Sequence, residues 1–87
     1  MLEKIKKVAG INNNDFDDLI EMYIDTSKSD LMQSGIVSSK IKEEDALISS
    51  AIISFVMSKI DATNFDLYLN SYNLQKDALR HYTDYNS

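Results

Sequence analysis

The stretch from Lys42 to Ile60 limits what this chain can fold into more than any other. Leu47, Ile48, Ala51, Ile52, Phe55 and Val56 recur at helical spacing and share one face. Ala46, Ile53, Met57 and Ile60 are apolar on the other side. A helix that is apolar nearly all round must be surrounded, so this segment predicts the buried centre of a small fold. Ser50, Ser54 and Ser58 recur every four residues along one edge. Small side chains in a row predict that another helix approaches closely there.

The surrounding elements read as helices too. Proline is absent and glycine occurs only at Gly10 and Gly35, so breaks are few. A short first helix spans about residues 2–9, with Leu2, Ile5 and Val8 or Ala9 on one side. Gly10 suits the left-handed position that ends a helix, and Ile11 supplies the apolar closing contact. The second helix runs from about Asp15 to Ser34, capped by Asn13 or Asn14. Phe16, Leu19, Ile20, Tyr23, Ile24, Ser27 and Leu31 form its inner stripe, and Gly35-Ile36 repeats the helix-ending pair. Residues 36–42 connect it to the central helix, whose acidic first turn (Glu43, Glu44, Asp45) suits a helix start. The fourth helix spans about Asn64 to Tyr82, and Thr63 with Asp66 has the spacing of a capping box. Phe65, Tyr68, Leu69, Tyr72 and Leu79 make its core stripe. Leu67, Leu74 and Ala78 make a second stripe, roughly opposite. The expectation is an all-α bundle of about four helices: a short N-terminal helix, two long antiparallel helices and a C-terminal helix. Residues 1–87 read as one domain, with 83–87 as a flexible C-terminal tail.

A lone chain of this length buries only about 60% of the surface its unfolded form exposes. Small domains are commonly stapled by disulfides, a metal or a partner. Cysteine is absent, which removes disulfides and thiolate metal sites, and one histidine, His81, cannot build a histidine site. A partner subunit is the staple that remains. A helix with two apolar stripes in so small a bundle points the same way, so Leu67, Leu74 and Ala78 are the candidate subunit interface.

The formal net charge of −5 is unevenly spread. Lys4, Lys6 and Lys7 against Glu3 leave the N-terminus basic, whereas Asp15, Asp17, Asp18, Glu21, Asp25 and Asp30 against Lys28 make the next segment acidic. No basic stripe grips nucleic acid phosphates. Asp17, Glu21 and Asp25 lie at i, i+4 and i+8, but no nucleophile, histidine or glycine-rich loop accompanies them, and they read as a solvated face. Asp15-Phe16-Asp17-Asp18 lacks the spacing and central glycine of a calcium loop. No phosphate loop, dinucleotide fingerprint or hydrolase elbow is present. The chain therefore reads as a non-enzyme without cofactor or metal. It has no apolar run long enough to span a membrane and no apolar signal core, so it is expected to stay in the cytoplasm where it is made.

The order of features resembles a known family. Met1-Leu2-Glu3-Lys4-Ile5-Lys6-Lys7-Val8 opens the chain, and Asn14-Asp15-Phe16-Asp17-Asp18 leads into Leu19-Ile20-Glu21-Met22-Tyr23-Ile24. The buried Asp45-Ala46-Leu47-Ile48-Ser49-Ser50-Ala51-Ile52-Ile53 follows, and Tyr72-Asn73-Leu74-Gln75-Lys76-Asp77-Ala78-Leu79 closes the fold. This pattern resembles the small head–tail connector (adaptor or head-completion) proteins of tailed bacteriophages. The resemblance implies a structural virion protein, made in the host bacterial cytoplasm and placed at the head–tail junction. It implies a homo-oligomeric ring beneath the portal protein that docks the stopper or tail-completion protein. DNA would pass through its channel without specific binding. On that reading Asp17, Glu21 and Asp25 line the channel, and Asp84 and Tyr85 in the tail touch the portal. The other reading open at this point is a small acidic regulatory module, antitoxin-like or anti-regulator-like, that acts by binding protein.

Overall fold

A computed structural model describes residues 1–86. The elements are α1 (Leu2–Ala9), α2 (Asp17–Gln33), a 3-10 turn (Ser38–Lys40), α3 (Ala46–Ile60), α4 (Phe65–His81) and α5 (Thr83–Asn86). The fold is all-α, as the periodicity predicts. Among the described residues no helix is long and apolar enough to cross a membrane.

Both glycines do what their placement requires. Gly10 takes φ 73°, and the Ile11 amide behind it donates to Lys6 O at 2.9 Å. Gly35 takes φ 110°, and the Ile36 amide donates to Leu31 O at 3.2 Å, which turns Ile36 into the core. Each closes a six-to-one bond that satisfies an orphan carbonyl of the ending helix.

The helix starts differ from expectation, for local reasons. α2 begins at Asp17 rather than Asp15, because Asn13 Oδ1 accepts the Asp15 amide at 3.0 Å and folds that residue into a turn. α3 begins at Ala46 rather than near Lys42. Asp45 is its cap, with Oδ1 accepting the Leu47 and Ile48 amides at 2.9 and 3.4 Å. The Thr63–Asp66 capping box does not form at α4. Instead Asp61 Oδ1 accepts the Asn64 amide at 3.1 Å, and Oδ2 accepts its side-chain amide at 3.2 Å.

α3 is the centre of the bundle. Ile48, Ala51, Ile52, Phe55, Val56 and Met57 are all buried. Ile5 from α1, Ile20, Ile24 and Leu31 from α2, and Tyr72 and Leu79 from α4 close around it. Fully burying one such aliphatic side chain is worth about 1.5–3 kcal/mol, so this cluster is the main source of stability. α4 is the helix that the serine row admits. Ser54 Oγ lies 3.5 Å from Ser71 Oγ, and Gln75 Nε2 donates to Ser50 Oγ at 2.8 Å. Those two pairings step in opposite directions along the chain, so α3 and α4 run antiparallel.

Four residues expected inside are exposed to solvent: Phe16, Leu19, Leu47 and Phe65. Phe16 precedes α2, and Leu47 and Phe65 sit in the first turns of their helices, beyond the cover of their neighbours. Periodicity assigns a face but says nothing about where the bundle ends.

Residues 83–86, expected within the tail, form α5. Val37 N–H donates to Tyr85 O at 2.8 Å, and the Tyr85 hydroxyl donates to Asp45 Oδ2 at 2.7 Å. A half-buried aromatic body with a satisfied hydroxyl docks this segment on residues 36–42 and on the start of α3. Ser87, the last residue of the expected tail, lies outside the described residues.

Candidate interaction surface

Ion pairs and hydrogen bonds link the helices across long sequence separations. Asp30 on α2 accepts from the Tyr72 hydroxyl and, at 3.0 Å, from Lys76 Nζ, both on α4. The Tyr72 ring meets Phe55 edge-on, with centroids 5.1 Å apart. Burial alone would raise the Asp30 pKa, but the bonds from Tyr72 and Lys76 outweigh it and hold the carboxyl below its ordinary value. Burial, with the adjoining Asp30 carboxylate, pushes the Tyr72 hydroxyl far up. Lys28, donating at 2.6 Å, lowers Glu43 against the opposing effect of burial. The Tyr85 hydroxyl lowers Asp45 and is itself pushed up to about 12.

These three depressed carboxyls set an acid limit. A carboxyl with a depressed folded pKa stabilises the fold above its unfolded pKa and loses that contribution as pH falls through the folded value. The ordinary values are 3.8 for Asp30 and Asp45 and 4.5 for Glu43. Thermal melting in a pH series is therefore expected to hold steady above about pH 5 and to fall as the pH drops from there through the ordinary values and below them. A flat profile across that window would mean that these links do not stabilise the fold.

The acidic trio is not a uniform face. Lys6, itself buried, places Nζ 2.9 Å from Asp17 Oδ1 and donates to Asn14 Oδ1 at 2.8 Å. Asp17 is thus held by α1, while Glu21 and Asp25 stand exposed on the outside of α2, with Asp18 beside them. Among the described residues no group of three His, Cys, Asp or Glu side chains is placed to hold a metal ion. His81 is exposed, with Nδ1 2.7 Å from Asp77 O in its own helix.

Among the described residues, apolar side chains reach solvent on surfaces at both ends of the bundle. The first lies where α3 begins and α4 ends. Exposed Leu47, Ala78 and Tyr82 border a shallow cleft of about 110 Å³ floored by Leu79, and Leu74, 74% exposed, lies one turn before Ala78 on α4. Leu74 and Ala78, one turn apart, are thus part of one patch. Leu67, 67% exposed, stands two turns earlier on α4, away from that patch. The second surface lies at the other end. It is a groove of about 680 Å³ between the end of α1, the start of α2 and the end of α3. Val8, Phe16 and Leu19 frame it, and Ile20, Met57 and Ile60 line it. The periodicity pointed to the Leu74 stripe. It did not reveal the groove, because Phe16 and Leu19 carry core spacing and only the bundle's end leaves them open.

Of the two tail residues, Asp84 is exposed, whereas Tyr85 is turned inward by its bonds to Asp45 and Val37.

The molecule therefore exposes apolar and acidic surfaces to solvent. Comparison with curated proteins and with solved structures returns no match. A family model described as "Phage connector protein" matches residues 1–80, nearly the whole chain, and the chain thus belongs to this family of structural phage proteins.

Proposed function

We propose that this connector acts as one subunit of a homo-oligomeric ring between the phage portal and the stopper or tail-completion protein. The ring extends the channel through which packaged DNA passes. The observation that carries this reading is a set of apolar residues on a member of the connector family that its own fold leaves uncovered: Leu47, Ala78 and Tyr82 around one cleft, and Leu74 one turn before Ala78. Large exposed apolar residues gathered in one place mark protein contacts. Leu74 and Ala78 are the main subunit contact in this reading, and Leu67 adds to it two turns away. Glu21 and Asp25 face the channel and repel DNA phosphates, so the genome slides rather than sticks. Asp17 contributes less, because Lys6 already neutralises it. At the C-terminus Asp84 is the portal contact, and Tyr85 positions it by anchoring α5 to Asp45.

The test is a solution mass measurement of the purified chain, alone and mixed with the portal protein of the same genome. The expected result is a portal complex carrying several copies of the chain. A small dimer indifferent to portal protein would instead favour an acidic regulatory module.

A further inference from the structure

Tyr82 joins α4 to α5, and the chain turns there without a residue built for turning. It is extended, at φ −83° and ψ 126°, between helical segments that end at His81 and resume at Thr83. At the earlier helix ends the reason for a turn is local: Gly10 and Gly35 end α1 and α2 at positive φ, and Asp61 holds Asn64 before α4. Between Arg80 and Asn86 there is neither glycine nor proline. With no breaker to stop α4 at His81, the bend rests on what α5 touches.

What α5 touches is a small seat far away in sequence. The Tyr85 carbonyl accepts the Val37 amide at 2.8 Å, and the Tyr85 hydroxyl donates to Asp45 Oδ2 at 2.7 Å. The Tyr85 ring is half-buried against the core, and its centroid lies 6.2 Å from that of Tyr82 across the bend. Asp45 and Tyr85 are 40 residues apart, so the seat recognises the strap of residues 83–86 and not the link to it. The Tyr85 of a second copy can make the same bonds. Straightening Tyr82 would continue α4 to Asn86 and carry Tyr85 about 4.5 Å beyond Tyr82 along the helix axis, off its own seat. Tyr82 also lines the exposed cleft with Leu47 and Ala78, and Leu47 follows Asp45 by two residues. A subunit that covers this cleft therefore lies beside both the hinge and the seat.

Resting on the ring reading above, we propose that the strap is exchanged in the ring: Tyr85 of one subunit occupies the Val37–Asp45 seat of the next. Exchange of an identical element remakes between copies the bonds that each free chain makes within itself. Passed in one direction, from each subunit to the next, it links them head to tail until the ring closes. Concentration decides when it occurs. A segment on a short flexible link meets its own seat at an effective concentration of about 1 mM, so free chains at micromolar concentration keep their own straps by on the order of a thousandfold. Subunits gathered on the portal stand at a comparable local concentration. Running α4 on through Tyr82 then removes one helix end and one helix start, each with orphan backbone groups, and this tips the balance towards exchange.

The chain has no cysteine, so introduced thiols report the exchange. Asn86→Cys is combined with Val37→Cys or with Ser38→Cys, and the double variant that closes a disulfide within the free chain is carried forward. Failure of both to close would overturn the seat and the exchange together. The two corresponding single variants are mixed, assembled with portal protein while reduced, and then oxidised. The expected result is a disulfide-linked dimer of unlike variants that is absent from the same mixture without portal protein. The double variant, closed before assembly, is expected to be lost from portal complexes and to return on reduction. A mixture that yields no dimer in portal complexes of normal mass, or a closed variant that enters them as readily as its reduced form, would overturn the exchange and leave the ring standing. Failure of the unmodified chain to join the portal would overturn the ring, and the exchange with it.

Discussion

Ile52→Ala is expected to cost about 2–5 kcal/mol of folding stability. Ile52 is completely buried at the middle of α3, where helices on several sides enclose it. Truncation removes three carbons from contact and leaves a cavity that α2 and α4 cannot both collapse into. A domain of this length has roughly 4–13 kcal/mol in total, at about 0.05–0.15 kcal/mol per residue. The variant should therefore lose a large part of its urea midpoint and sit close to unfolding at elevated temperature. Ile53→Ala is the internal control. Ile53 is only half-buried, and its loss is expected to cost about 1 kcal/mol. Urea denaturation of both variants checks the difference, and equal losses would mean that α3 is not enclosed as described.

Leu74→Asp is expected to do the reverse. The side chain is 74% exposed and touches little of its own chain, so folding stability should change by no more than about 0.5 kcal/mol. Assembly on the portal should suffer badly, because the carboxylate would have to be desolvated in an apolar contact. A central contact residue is worth about 2 kcal/mol or more, which corresponds to roughly a thirtyfold loss of affinity. Mass measurement with portal protein reads the assembly, and a urea titration of the variant alone reads the fold. Equal loss in both would assign Leu74 to the fold rather than to a contact. Unchanged assembly would remove this patch from the subunit interface.

The candidate surface was partly legible before any coordinates. The i, i+7, i+11 spacing of Leu67, Leu74 and Ala78 set a stripe apart from the one that carries Tyr72 and Leu79, and all three lie outside the core. What spacing could not show is that Leu47 and Tyr82 gather with Ala78 around one cleft that Leu67 and Leu74 do not line. Nor could it show that Lys6, placed in a basic run, would be buried against Asp17. A charged residue next to Ile5 on a short helix looks solvated until the chain returns to it.

The all-α class, the glycine stops and the encirclement of Ile48, Ile52 and Val56 were determined by sequence alone. They depend on periods of three or four residues and on backbone conformations that one glycine supplies. Only the tertiary structure decided the ends of the elements and the links between them. Asp30 finds Tyr72 across 42 residues and Asp45 finds Tyr85 across 40, and no local pattern encodes either pairing. Which apolar residues stay uncovered is decided in the same way. Phe16, Leu47 and Phe65 have spacings no different from those of buried residues, and their exposure follows from the helices' lengths and crossings.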